Sequence, residues 1–172
     1  MILGDFDSVD SGWRSSLGAE STAPTVLYYP RDKDKTDGQL AVEYALDAQI
    51  KKICVYGGLG RRFDHTLGNL GLAWLCTTRG AEFHMIDSEQ IVQMLKAPGT
   101  AYIEGSPRDY VSLIPLTPTV SCITTGELCY PLEGATLYFG ETRGLSNELL
   151  AKRAWVKATD GVLIIVKTNS KH

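Results

Sequence analysis

Two aspartates two residues apart, Asp5 and Asp7 in Gly4-Asp5-Phe6-Asp7-Ser8, follow directly on the apolar stub Met1-Ile2-Leu3. Where a strand gives way to a loop, both carboxylates can reach one site. Hard oxygen ligands of this kind suit Mg²⁺, which usually takes one or two carboxylates together with substrate phosphates. The same residue types are common turn formers, so the segment reads equally well as a turn. A second group lies in Arg31-Asp32-Lys33-Asp34-Lys35-Thr36-Asp37. It reads as a solvated charge run ahead of a helix, with Asp37 complementing the helix dipole. Asp34 and Asp37 also straddle the helix start and can face one ion, with Lys33 facing a phosphate.

A third segment is Gly57-Gly58-Leu59-Gly60-Arg61-Arg62-Phe63-Asp64-His65. A glycine loop between strand and helix lets backbone N–H groups approach phosphate oxygens, and the helix N-terminus attracts anions. No Gly-Lys-Ser/Thr follows, so it is not a Walker A loop, and the third glycine of a dinucleotide fingerprint is missing. Arg62 beside Asp64 adds a guanidinium able to clamp phosphate bidentately. His65 reads more simply as a helix N-terminal residue than as a base. The fourth segment is Phe139-Gly-Glu-Thr-Arg-Gly-Leu-Ser-Asn-Glu148. Ser146 and Asn147 are turn formers, and also groups able to read a polar heterocycle. Tyr130 and Trp155 can stack on a ring or belong to the core.

These groups need elements to hold them. Residues 1–3 and 25–29 read as short strands. Residues 36–49 read as a helix, with an apolar stripe of Leu40, Ala41, Tyr44, Ala45 and Ala48 and a Thr36-x-x-Gln39 capping box. Residues 53–56 read as a buried strand and Asp64 to Arg79 as a second helix, with Leu67, Leu70, Trp74 and Leu75 on one face and Gly80 as its stop. Residues 81–86 read as a further strand. Strands alternating with helices predict an α/β domain with a mainly parallel, Rossmann-like sheet over residues 1–96, with ligands beyond the strand ends. From about residue 97, β-prone runs such as 110–114, 122–125, 135–139 and 161–166 lie between Gly and Pro turns. That spacing predicts a C-terminal all-β sandwich domain over residues 97–172.

Composition sharpens the first clue. The chain has 172 residues and a net charge of −3, so no basic surplus favours nucleic acid. No run approaches the roughly 20 apolar residues of a membrane span. Eight of the eleven aspartates lie before residue 65, so the acidity gathers where the phosphate-type motifs are. The chain opens without a basic or apolar leader, which predicts no secretory signal. Cys54, Cys76, Cys122 and Cys129 have no CxxC spacing; Cys54 and Cys76 read as buried reduced thiols of a cytoplasmic protein.

Taken together, Gly4-Asp-Phe-Asp-Ser8, Lys33-Asp-x-Thr-Asp37, Gly57-x-x-Gly-x-Arg-x-Asp-His65 with Asn69, and Leu137-x-Phe-Gly-x-Thr-Arg-Gly-Leu-Ser-Asn-Glu148 resemble the ordered signature of thiamine pyrophosphokinases over nearly the whole chain. The resemblance implies transfer of the pyrophosphoryl group of ATP to the thiamine hydroxyl, with Mg²⁺, in a homodimer with thiamine at the interface. It implies that Asp5, Asp7, Asp34 and Asp37 hold the metal. The nucleotide would meet Lys33, Thr36, Gly57, Gly58, Gly60, Arg62, His65 and Asn69, and thiamine would meet Tyr130, Ser146 and Asn147. Asp7, Asp37, Arg62 and Asp64 would carry catalysis. The family's strand-helix unit with an Asp-Gly-Gly element ahead of Gly4 is not present in this sequence, and Thr124–Tyr130 is one residue longer than the family spacing. Two other readings fit parts of the pattern: a non-catalytic thiamine or thiamine diphosphate-binding paralogue, and an Asp-x-Asp phosphohydrolase with Asp5 as nucleophile.

Overall fold

The computed structural model describes residues 2–4, 26–28, 30, 34–60 and 62–170. The chain divides into two compact units, Met1–Ile50 and Lys51–His172.

In the first unit β1 (Ile2–Gly4) pairs in parallel with β2 (Val26–Tyr28), and α1 (Asp37–Asp47) packs near β1. Thr36 caps α1: its Oγ1 accepts from the Gln39 N–H at 3.2 Å. Only half of the expected capping box forms, because the Gln39 amide turns forward to Glu43 Oε1 at 3.0 Å instead of back to the cap. The face that α1 buries is that of Val42 and Leu46, while Tyr44 of the expected stripe is exposed.

The second unit holds β3 (Lys52–Tyr56), α2 (Phe63–Thr78), β4 (Glu82–Ile86), β5 (Gln90–Lys96), β6 (Gly99–Glu104), β7 (Tyr110–Pro115), β8 (Thr119–Gly126), β9 (Ala135–Tyr138), β10 (Asn147–Glu148), β11 (Arg153–Ala158) and β12 (Val162–Thr168). Six strands form a sheet in the order β10-β7-β12-β5-β4-β3 and four form another, β6-β11-β8-β9. Leu163 and Ile165 of β12, Val111 and Leu113 of β7, Ile103 of β6, Val156 of β11 and Val120 and Ile123 of β8 belong to one buried cluster that both sheets share. β12 runs between β5 and β7 with Val162, Leu163, Ile164 and Ile165 all buried, as a central strand covered on both faces requires. β8 carries a register shift between Val120 and Ile123, and Cys122 there has φ 52°.

The mainly parallel, Rossmann-like α/β sheet expected for residues 1–96 does not form. Among the described residues there are two helices and twelve strands, and the parallel pairs are β1–β2 and β3–β4. The cause is the length of the connections. α2 supplies the long crossover that a parallel β3–β4 pair needs. β4, however, is joined to β5 only by Asp87-Ser88-Glu89, too short for anything but a hairpin. Asp87 closes that turn, accepting the N–H groups of Glu89 at 2.8 Å and Gln90 at 2.6 Å. The sheet continues antiparallel into β12, β7 and β10.

α2 starts and stops within one residue of expectation, and Gly80 after it has φ 74°, the left-handed conformation that ends helices. Its buried face differs from the predicted one. Leu72, Ala73 and Cys76 are buried, whereas Leu67 is 50% and Trp74 41% exposed. Cys54, predicted buried, is exposed on β3, which is an edge strand of the six-stranded sheet.

Candidate functional site

In the first unit the described motif residues gather at one helix start. Asp34 is exposed in the bend before α1, Thr36 is its cap, and Asp37 is its half-buried first residue. Lys35, between them, turns away to pair with Glu43 at 2.7 Å. Asp5, Asp7 and Lys33 lie outside the described residues. Among the described residues no three or more His, Cys, Asp or Glu form a cluster able to hold a metal ion. Asp34 and Asp37 alone offer two carboxylates, a donor set that fits Mg²⁺ arriving on a nucleotide, which leaves most of its shell to phosphate and water.

In the second unit the glycine loop leaves the carboxyl end of β3 and enters α2. Gly57 takes φ 75°. Gly58 sits tightly over the sheet, where a Cβ would lie 3.1 Å from Val55 Cγ1 and 3.2 Å from Met85 Sδ. Asn69, one of the expected nucleotide residues, reaches back along α2 and donates from Nδ2 to the Gly58 carbonyl at 2.9 Å. It holds the loop in shape. Arg62, the residue before α2, grips Asp64 with both arms of its fork, Nε to Oδ1 at 3.2 Å and Nη2 to Oδ2 at 2.6 Å. That hydrogen-bonded pairing holds the Asp64 carboxyl below its ordinary range, so it is a weak base. Both side chains are exposed, so the pair itself contributes little to stability. Its value is that a guanidinium fork already stands extended at a helix N-terminus. His65 beside it is exposed.

A pocket of about 410 Å³ opens next to this loop, lined by Leu59, Gly60, Phe63 and Thr66 on one side and by Asp87, Ser88, Glu89 and Gln90 on the other. It lies at the carboxyl end of the parallel β3–β4 pair, where such pairs present ligands. The second wall was missed in the sequence. The signal was present as an acidic, Ser-containing turn after a strand, but it becomes a pocket wall only because the β4–β5 hairpin folds beside the glycine loop.

The third group lies at the opposite edge of the six-stranded sheet. Tyr130 is 67% exposed and Asn147 only 8%. The Asn147 side chain accepts the Tyr130 N–H at 2.9 Å and donates to the Tyr130 carbonyl at 2.7 Å. The same oxygen also accepts from the Glu148 N–H at 2.9 Å. Ser146 has φ 57°, a strained value for a residue other than glycine, and its N–H donates to Ser112 Oγ at 3.1 Å. Gly144 lies against β7, its carbonyl accepting from Leu113 N–H at 2.8 Å. Trp155, the other candidate ring, packs over Gly126, its partner on β8.

A glycine loop with an arginine fork thus stands at strand ends, and an exposed tyrosine buttressed by Asn147 stands at the far edge of the same sheet. The family model for the thiamin pyrophosphokinase catalytic domain matches residues 1–85, and that for the thiamin pyrophosphokinase vitamin B1 binding domain matches residues 100–163. A curated relative, the thiamine pyrophosphokinase of Bacillus subtilis strain 168, is 33% identical over 167 residues, covering 96% of this chain and 77% of its own. The crystal structure of a thiamine pyrophosphokinase from Bacillus subtilis superposes with a TM-score of 0.87 at 31% identity, over 98% of this chain and 78% of that one. A thiamin pyrophosphokinase structure from Geobacillus thermodenitrificans gives 0.82 at 28% identity, over 98% and 77%. The chain belongs to the thiamin pyrophosphokinase family.

Proposed function

We propose that this chain transfers the pyrophosphoryl group of ATP to thiamine. The thiamine hydroxyl oxygen attacks the β-phosphorus, the bond from that phosphorus to the α,β-bridging oxygen breaks, and thiamine diphosphate and AMP leave. The observation that carries this reading is that both family models match in order along a chain 33% identical to a thiamine pyrophosphokinase over nearly its whole length. In this reading residues 1–96 serve the nucleotide and residues 97–172 serve thiamine, and the protein works in the cytoplasm. No helix among the described residues is long and apolar enough to cross a membrane.

Asp34 and Asp37, with Asp5 and Asp7, hold Mg²⁺, which shields phosphate charge when bound. Lys33, Thr36 and the Gly57–Gly60 backbone receive phosphates, with Asn69 keeping that loop in place and His65 at its rim. Arg62 swings its fork, or shares it, from Asp64 to the transferring group. Alcohols are poor nucleophiles, so positioning and charge neutralisation provide most of the acceleration. Asp64 takes up the hydroxyl proton late, a secondary contribution given its depressed pKa. Tyr130 and Ser146 face thiamine, with Asn147 behind them.

The sheet order supports a homodimeric site. Within the second unit, β3 and β10 are opposite edges of one six-stranded sheet. Five strand spacings of about 4.8 Å put the Arg62 loop and the Asn147 corner roughly 24 Å apart. In this reading the nucleotide end of one protomer meets the thiamine end of another.

Incubation with ATP, Mg²⁺ and thiamine tests the reading. AMP and thiamine diphosphate in equal amounts are expected. Release of inorganic phosphate without AMP would point to a phosphohydrolase, and thiamine binding without AMP to a non-catalytic paralogue.

A further inference from the structure

The residues around Tyr130 form a small ladder of their own. Leu128 and Leu149 face each other as an isolated antiparallel bridge. Around it the Leu150 N–H donates to the Glu127 carbonyl at 3.0 Å, and the Cys129 N–H to the Glu148 carbonyl at 2.9 Å. Next along this ladder Tyr130 stands opposite Asn147, a pair that exchanges no backbone hydrogen bonds because it follows the bonded Cys129–Glu148 rung, and the Asn147 backbone pairs on its other side with Val111 of β7. Its carboxamide takes over. The Asn147 oxygen accepts the Tyr130 N–H and its nitrogen donates to the Tyr130 carbonyl, reproducing with a side chain the two-bond rung of an antiparallel pair. The amide is almost fully buried while the ring it holds is exposed. An exposed aromatic on a backbone fixed in both directions is a ready platform for a flat ligand, because little is left to order on binding.

We infer that Asn147 is a positioning residue: it sets the backbone of Tyr130, and through it the angle at which the tyrosine ring meets an aromatic ligand. This rests on the thiamine reading above for the identity of that ligand. Removal of the carboxamide would leave both Tyr130 groups without their partner and let the ring drift, raising the thiamine KM with kcat and the ATP KM little changed.

A double-mutant cycle tests it. Asn147→Ala is expected to raise the thiamine KM about tenfold in the native background and less than about twofold on top of Tyr130→Ala, because coupled residues are non-additive. Asn147→Asp keeps the accepted N–H bonds and loses the donated one, so it falls between. Hydrogen exchange provides a readout that needs no ligand: the Tyr130 amide should be protected in the native chain and exchange fast in Asn147→Ala. Equal KM factors in both backgrounds would overturn the inference and make Asn147 a direct ligand contact. A Tyr130 amide that stays protected in Asn147→Ala would overturn it too. A native chain that does not turn over thiamine sinks the transferase reading instead, while the exchange experiment still decides whether Asn147 holds Tyr130.

Discussion

Gly144→Ala is the sharpest single-atom test of how the thiamine end is held. A Cβ at Gly144 would lie 2.1 Å from the Leu113 carbonyl oxygen and 3.1 Å from Leu137 Cδ1. Real Cβ contacts essentially never fall below 3.0 Å, so about 0.9 Å of movement is forced. The obstacle is backbone, and Leu113 is buried in the shared core, so β7 is not free to give way. The 143–146 segment must lift instead. That breaks the Leu113 N–H to Gly144 carbonyl bond of 2.8 Å, worth about 1 kcal/mol. The overpacking itself costs about 1–3 kcal/mol. The sum, about 2–4 kcal/mol, lowers the melting temperature by roughly 4–16 °C for a chain of this size. The lift also carries Ser146 away from Ser112 Oγ, now 3.1 Å from its N–H, and shifts the base of the Asn147 clamp. Thermal melts by circular dichroism and separate KM values for thiamine and ATP measure both effects. A Gly144→Ala protein that melts within 1–2 °C of the native chain, with an unchanged thiamine KM, would refute the packing argument.

Other outcomes follow from the same structure. Of the four cysteines, Cys76 alone is buried, and burial pushes its thiol up to about 11, so Ellman's reagent at pH 8 should label Cys54, Cys122 and Cys129 quickly and Cys76 only on unfolding. Asp109 is buried and accepts from Ser106 N–H and Ser170 N–H, both at 2.9 Å, with Lys167 Nζ 3.8 Å away. Asp109→Ala, which leaves the buried Lys167 without that carboxylate, should cost about 3–5 kcal/mol in a denaturant titration. Burial by itself would raise the Asp109 pKa, but the Ser106 and Ser170 hydrogen bonds and Lys167 together hold it below the ordinary value. Its stabilisation is therefore complete above about pH 4 and lost as pH falls through the depressed value, so the native chain should lose stability below pH 4 more steeply than Asp109→Asn. For His84 the depression comes first from burial and then from Lys52, with the Gln93 hydrogen bond and Glu82 opposing. Melting temperature should accordingly fall as the pH drops below about 6.5, and His84→Gln should flatten that part of the profile.

Much of the local structure was legible in the residues. Thr36 marked the start of α1, Gly80 the end of α2, and β-branched runs marked β2, β3, β7, β8, β9 and β12, because caps, left-handed glycines and β-propensity act over a few residues. The faces of the helices were not legible. A 3.6-residue period that includes Leu67, Leu70 and Trp74 fits α2 as well as one through Leu72, Ala73 and Cys76, and which one is buried depends on where β4 and β5 lie. The sheet was misread for a related reason. Alternating strands and helices suggested parallel pairing, but direction is set by the connection, and the three residues between β4 and β5 permit only a hairpin.

The motifs divide in the same way. The amino-acid sequence by itself determined the family, because the signature is a matter of identity and order. It also determined that Asp64 has Arg62 within reach, since only Phe63 stands between them. Only the tertiary structure decided what each polar group is committed to. Asn69 holds Gly58 across eleven residues and Asn147 holds Tyr130 across seventeen, and both look in the sequence like free ligand-binding amides. A carboxamide has the same donors and acceptors whether it faces substrate or backbone, so its task is fixed by which groups the folded chain brings within 3 Å of it.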